Sequence, residues 1–457
     1  MTEKFGPSKK ANCSFPPTTK KSTPMPRTIT LREYESLGVH GGEGKQKISE
    51  RALKEIRAYV QDNPDPESNW VMRVTSRTVT AKNYVGVIQT RDGTTIEILP
   101  KVDLDGGEDT DRERDIFLKM LRHYRDGPCR NLNDADIRAI KNFPILEAFI
   151  AMFLKDMREL TRRGLACAYG EVEENRHYLK GKLMMAQHLR HNLVHRERFY
   201  VRYEIFSPNR PVNRLLKSAL QLLLRASRKE ENRAQIRNAL FYFEDIPPST
   251  DVDTDLIRAR VDRTMPLYNR LFPWARLFLK RAAPATWRDN NPALALLFPM
   301  QDIFEDYVAH MVARAAPNWI VKPQEKKHYL MEKNRRGKRE FQLRPDIVAR
   351  GGGGVWIMDT KWKRLDKNKT HAGISQADLY QLYAYGKKYR AQKQNAGKKV
   401  ELFLLYPANP HFENRLEYHY DDELSLTALP VQLAVEDDAV IKNLRDLFPP
   451  DAPKLAA

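Results

Sequence analysis

Cysteine is nearly absent from this 457-residue chain: Cys13, Cys129 and Cys167 are all it has. Their wide spacing excludes CxxC metal knuckles and a disulfide framework, and points to a reducing, cytoplasmic setting. Long apolar runs are lacking too. No stretch approaches the ~18 residues a membrane-spanning helix needs, so no membrane partner is expected. No apolar segment follows the basic N-terminal residues, and a secretory signal is likewise not expected. There is no GxxxxGK[ST] phosphate loop, so any nucleotide must be held by a partner. No internal repeat of solenoid length is found.

What the chain does have is positive charge. Lys and Arg number 78 against 59 acids, a net charge of +19, and 41% of residues are apolar. That composition, with a mean hydropathy of −0.63, is that of a globular protein, and at ~150 residues per domain the length suggests about three domains. The charge is concentrated: residues 321–400 hold 21 Lys and Arg but 7 acids. Most charge runs are only solvated faces, but concentration in one domain favours a polyanion, since each neutralised phosphate releases counterions. Nucleic acid is the expected partner.

The pattern divides the chain into four. Residues 1–27, rich in Lys and Pro, have little to bury and read as a disordered basic arm. Residues 28–112 read as a small β-rich domain. It has a strand at Ile29–Leu31, a helix face at Ile48, Ala52, Ile56 and Val60, and a hairpin of Tyr84–Gln89 and Thr94–Leu99 across Arg91-Asp92-Gly93. Residues 113–290 read as mainly helical, with stripes such as Ile145, Phe149, Met152, Phe153 and Met157, and one strand at Phe199–Phe206. His188, His191 and His195 would share a face of a continued helix; no acid or cysteine completes a metal set, so structural histidines are the preferred reading.

Residues 291–457 carry the chemistry. A helix over Met300–Met311 has Glu305 on the border of its apolar face. Strands are expected at Lys327–Met331, Arg339–Ala349 and Val355–Trp362, with a turn at Gly351–Gly354. A helix over Ser375–Arg390 and a strand at Val400–Leu405 follow, giving the order α-β-β-β-α-β. Asp346 and Asp359 interrupt strongly apolar runs, where aspartate is disfavoured. Two carboxylates buried together are costly unless a cation pairs them. Lys361, two residues from Asp359 and on the same strand face, could do this structurally. A divalent cation with Lys361 beside it accounts better for both acids. Asp346 and Asp359 are therefore expected to hold Mg²⁺ (Mn²⁺ as a substitute), with Glu305 as a further ligand and Lys361 at the nucleophilic water, a set suited to phosphodiester hydrolysis. Gln381 and Tyr385, four apart on one helix face, would position the strand end or substrate phosphate. Arg344, Lys363, Arg364, Lys387 and Lys388 are the expected contacts to DNA.

At these residues the sequence resembles the PD-(D/E)xK nuclease superfamily, and Gln381-x-x-x-Tyr385 resembles the QxxxY motif of its RecB-like branch. It is more closely similar to the McrC subunits of McrBC modification-dependent restriction systems. That likeness rests on Phe298-Pro299-Met300 with Ile303 to Tyr307, Leu343-Arg344-Pro345-Asp346-Ile347, Met358-Asp359-Thr360-Lys361-Trp362-Lys363 and Asp378 to Gly386. Upstream, Gly86-Val87-Ile88, Ile96 to Lys101, Leu179-Lys180-Gly181-Lys182 and Asn213-Arg214-Leu215-Leu216-Lys217 also resemble it. The resemblance implies an α+β multidomain protein with a restriction-endonuclease-like C-terminal core. It further implies an Mg²⁺-dependent endonuclease subunit for double-stranded, methylcytosine-containing DNA. Such a subunit docks through its N-terminal part on a hexameric AAA+ GTPase ring and stimulates GTP hydrolysis. The arm and the long middle region depart from that pattern, so no ring-contact residues carry over. Two other readings stay open: a non-cleaving activator or scaffold of an AAA+ defence complex, and a nucleic-acid-binding protein.

Overall fold

The computed structural model describes residues 28–39, 47–62, 72–75, 77–102, 109–131, 133–140, 143–286, 294–331, 337–433 and 436–448. The arm expected over 1–27 lies outside them. Among the described residues, no helix is long and apolar enough to cross a membrane.

The fold is mixed α/β. Its N-terminal sheet runs in the order Thr28–Arg32, Thr95–Leu99, Tyr84–Gln89, Leu294–Pro299. The expected hairpin forms its centre, and Asp92 fixes the turn by accepting from Thr94 N at 2.9 Å and Thr90 Oγ1 at 2.6 Å. The outer strand comes from far along the chain. Leu294–Pro299, within the segment assigned to the C-terminal domain, pairs antiparallel with Tyr84–Gln89. Gly86 makes this approach feasible: at φ +136° a Cβ there would stand 2.0 Å from Leu296 O.

The helical stripes read from the sequence are buried as expected. Phe117, Phe149, Phe153, Leu215, Leu216 and Ala219 are all inaccessible to solvent, packed in one core that also takes in the N-terminal sheet. From this body the strands Ala168–Arg176, Phe199–Ser207 and Lys182–Leu183 and the helix Met185–Asn192 form a separate small sheet unit. Nine of the twenty exposed large apolar side chains among the described residues fall within these forty positions, so the unit has a surface unlike the rest. Its two ends are tied to one side chain. Asn213, fully buried, donates through Nδ2 to Ala166 O at 3.0 Å and Pro208 O at 2.7 Å. Tyr268 closes the knot, donating to Asn213 Oδ1 and accepting from Ala166 N. Four residues on, Lys217 Nζ donates to the carbonyls of Phe243, Glu244 and Ile246. The Asn213–Lys217 motif is thus a structural hub.

The C-terminal sheet has six strands in the order Ile320–Pro323, Ile347–Gly351, Gly354–Thr360, Lys399–Pro407, Leu424–Val431, Leu416–Asp421. Alternation sends Ile347, Ala349, Trp356 and Met358 to the face covered by the helix Met300–Ala315 and joined to the main core. Val348, Val355 and Ile357 face the other way, into a second core with Leu382, Tyr385 and Tyr389 of the helix Gln376–Arg390. Gly352 and Gly353, at φ 53° and 77°, make the primed turn that the 347–360 hairpin requires.

Two expected strands are corrected. The first strand of this sheet is Ile320–Pro323, whereas Tyr329–Met331 pairs with Glu340–Gln342 in a separate two-stranded sheet. The expected strand over Arg339–Ala349 breaks at 343–346. Pro345 has no N–H to give a ladder and pushes its predecessor out of register. Asp346 therefore sits just before a strand, not within one.

Candidate active site

Register brings the two aspartates together. Ile347 pairs with Met358, so Asp346 and Asp359 stand opposite each other where that ladder ends. Asp359 is 1% exposed. Asp346 Oδ2 accepts from Thr360 N at 2.7 Å and Thr360 Oγ1 at 2.8 Å. Lys361 Nζ pairs with Asp359 Oδ2 at 2.5 Å, lies 3.9 Å from Asp378 Oδ1 and donates to Gln381 Oε1 at 3.5 Å. Gln381 Nε2 in turn donates to Tyr385 OH at 2.8 Å. Five of the expected residues (Asp346, Asp359, Lys361, Gln381 and Tyr385) thus form one cluster between the strand ends and the helix Gln376–Arg390.

Burial pushes the Asp346 carboxyl well above the usual carboxylate range, and the charges of Asp359 and Glu305 push it further. Burial also raises Asp359, against the pull of Lys361. Burial opposes the Lys361 ammonium, but Asp359, Asp346 and Asp378 outweigh it and raise its pKa. The lysine is held as a cation.

Glu305 stands apart from this pairing. It is 8% exposed, and its Oε1 accepts from Arg125 Nη2 at 2.9 Å and Gln324 Nε2 at 2.7 Å. Arg125 also grips Asp306, through its backbone N at 2.8 Å and Nε at 3.0 Å. Arg344 bonds Gln324 Oε1, which links the proline-broken segment to Glu305. Among the described residues, no three His, Cys, Asp or Glu side chains form a ready metal cluster. The donor chemistry of Asp346 and Asp359 nevertheless fits a hard divalent cation: all-oxygen, with Asp359 buried and Asp346 half-buried, and mutually repelling with a single ammonium set against Asp359.

The expected DNA contacts scatter. Lys363 Nζ donates to Gly373 O at 2.6 Å, beside exposed Arg364. Lys387 pairs with Asp421 at 2.7 Å, near Lys388 in the last turns of the helix Gln376–Arg390 and away from the aspartates. The histidines do not converge. The helix Met185–Asn192 ends before His195. His188 lies 3.1 Å from Asn192 Nδ2, His191 stacks on Tyr200, and His195 is 3.3 Å from Glu197.

Sequence reasoning did not single out Thr360, Asp378, Gln324 or Arg125. Thr360 and Asp378 lie inside motifs already recognised. Arg125, 180 positions from Glu305, gives no local sign of its role.

The family model described as McrBC 5-methylcytosine restriction system component matches residues 79–407. The chain belongs to this family. A solved structure with which this McrBC-family chain shares its fold is titled a refined half-complex from a tetradecameric assembly of Thermococcus gammatolerans McrB AAA+ hexamers with bound McrC. The TM-score is 0.66 at 21% identity, over 92% of this chain and 99% of that one. A second, the cryo-EM structure of the Thermococcus gammatolerans McrBC complex, aligns at TM-score 0.48 and 22% identity, over 66% of this chain and 90% of that one. No curated protein is similar enough to match.

The acid cluster of this McrBC-family chain has a thermodynamic signature. A carboxyl whose folded pKa is raised stabilises the fold fully below its unfolded pKa, and that contribution is lost as pH rises through the folded value. Asp346 is such a group. Asp346→Asn, which keeps an acceptor for Thr360, is expected to melt above the wild type at pH 8 without divalent ions, the gap closing towards pH 5. Thermal denaturation across that range checks this, and a gap independent of pH would count against a strained Asp346 charge.

Proposed function

We propose that the chain is the Mg²⁺-dependent DNA endonuclease subunit of a McrBC-type restriction system, working with a GTP-fuelled AAA+ ring. The observation that carries this reading is the Asp346–Asp359–Lys361 cluster, with Gln381 and Tyr385 behind it, at the strand ends of a McrBC-family chain. The succession of Met300–Ala315, the strands through Gly354–Thr360, Gln376–Arg390 and the parallel neighbour Lys399–Pro407 supports a PD-(D/E)xK arrangement.

Asp346 and Asp359 would hold the ion. When bound, it supplies a polarised phosphoryl oxygen and a water of lowered pKa. Lys361, kept cationic, stabilises charge that develops on the phosphate and is poorly suited to taking a proton. Gln381 and Tyr385 orient the ammonium. Glu305, committed to Arg125 and Gln324, acts at one remove by raising the charge density Asp346 feels.

The relative of known structure is bound to McrB AAA+ hexamers, and we assign a ring of that kind to this chain. The separate 168–207 sheet unit, with Leu179, Leu193 and Val194 among its exposed apolar side chains, is the docking surface best supported by burial. It joins the 28–112 unit as a ring contact. Recognition of 5-methylcytosine then falls to the ring.

The test is plasmid cleavage with methylated and unmethylated DNA, with and without the ring, in Mg²⁺ or EDTA. Cutting is expected only with ring, GTP, methylation and Mg²⁺ together. Cutting that survives EDTA, or none by the complete wild-type complex, removes the reading. One observation favours a non-cleaving activator: Glu305 is occupied by Arg125 and Gln324. That alternative expects GTP hydrolysis to be stimulated while DNA stays intact.

A further inference from the structure

The strand end that carries Lys361 has two sides. Lys361 and Asp359 point to the helix Gln376–Arg390. Thr360 and Trp362 are gripped from the opposite side. Gln301 Nε2 donates to Thr360 O at 2.6 Å, and Gln301 Oε1 accepts from Trp362 N at 2.8 Å. The Trp362 ring packs on Phe304 with centroids 5.3 Å apart. Its Nε1 then reaches the N-terminal sheet, donating to Glu33 Oε2 at 2.8 Å.

Glu33 follows the strand Thr28–Arg32 and is 1% exposed. Its backbone N donates to Leu99 O at 3.1 Å, and Oε2 also accepts from Lys101 N at 3.1 Å. Among the described residues Oε1 has no partner. Burial lifts the carboxyl to about 7, against the bonds from Trp362 and Lys101. What the position supplies is a buried acceptor shared by the indole of Trp362 and the backbone of Lys101, a role that a glutamine carbonyl could also fill.

We infer that Glu33 is a positioning residue for DNA cleavage: through Trp362 it fixes the 360–362 backbone, and thereby Lys361, from the N-terminal sheet. The inference rests on the nuclease reading above and deepens it, because it makes the N-terminal sheet part of the machinery that aligns the reacting groups. Small misplacements of such a group cost rate far more than binding.

The experiment compares Glu33→Ala, Glu33→Gln and Trp362→Phe in the full chain assembled with its ring, on methylated plasmid DNA in Mg²⁺. Glu33→Ala is expected to lower kcat about 10–100-fold, with KM for DNA, GTP hydrolysis and assembly unchanged. Trp362→Phe should match it, and the double variant should be no slower than either single one. Glu33→Gln, whose amide oxygen still accepts from the indole, should restore most of the rate. Indole N–H exchange of Trp362 by NMR gives a second readout: fast in Glu33→Ala, slow in wild type and Glu33→Gln. Wild-type kcat in Glu33→Ala overturns the inference, as does a loss shared equally by GTP hydrolysis and assembly, which marks a general folding defect. A complete wild-type complex that leaves DNA intact overturns the nuclease reading and takes the role of Glu33 with it.

Discussion

Asp359→Asn is expected to slow Mg²⁺-dependent DNA cleavage by about 10³-fold or more while the chain still assembles with its ring and stimulates GTP hydrolysis. The substitution changes one buried oxygen, keeps the shape of the side chain and removes the charge that both Lys361 and a divalent cation need. Its fold should not suffer. Asp359 is held above its usual pKa by burial, so neutralising it relieves a cost as well as losing an ion pair. Lys361→Ala should fall as far in rate, again with assembly intact. Plasmid cleavage beside GTP hydrolysis on the same preparations separates the two effects. If both activities fell together, Asp359 and Lys361 would be scaffold and not chemistry.

Arg125→Ala is expected to have the largest effect on stability. The guanidinium lies 2.9 Å from Glu305 Oε1 and 2.7 Å from Asp306 Oδ1, two acids whose side chains are 10% and 8% exposed. Removing it leaves both charges buried beside each other. Breaking a buried pair from one side costs about 3–5 kcal/mol; Arg125 itself is 29% exposed, and solvent screening brings the expectation to about 2–3 kcal/mol. Chemical denaturation measures it. Adding Asp306→Asn should recover part of the loss, because one uncompensated charge then disappears. An unchanged midpoint in Arg125→Ala would mean that the Gln324 and backbone bonds to these two carboxyls suffice without the guanidinium.

The elements that carry the site were legible because their signals are local. The hairpin around Asp92, the helix starting at Met300 and the helix starting at Gln376 announce themselves through turn chemistry and apolar spacing. The shared face of Asp359 and Lys361 follows from the two-residue period of a strand. Contacts made through tertiary structure were not legible. Ile320–Pro323 is an exposed edge strand ending in proline, with no alternation to betray it. Leu294–Pro299 is a uniformly apolar run, whose partner strand lies some two hundred positions upstream. Pro345 stands in plain view within Leu343–Ile347, but the apolar residues on either side of it extend the strand pattern across the break. The helix does not continue as far as His195: it ends where Asn192 turns back to bond Asn175 at 2.7 Å, which leaves the three histidines in separate structural contacts. The ion pair of Lys387 with Asp421, thirty-four positions on, had no local sign in the sequence either.

Asn213 joins the two roots of the 168–207 unit at a single buried amide, outside both the aspartate cluster and the Glu33–Trp362 link. The forty residues between those roots are consequently a cassette with one socket. On the ring-docking role proposed for it, exchanging the cassette for that of another McrBC-family chain, with Asn213 and Tyr268 kept, is expected to rewrite partner choice without recutting the blade.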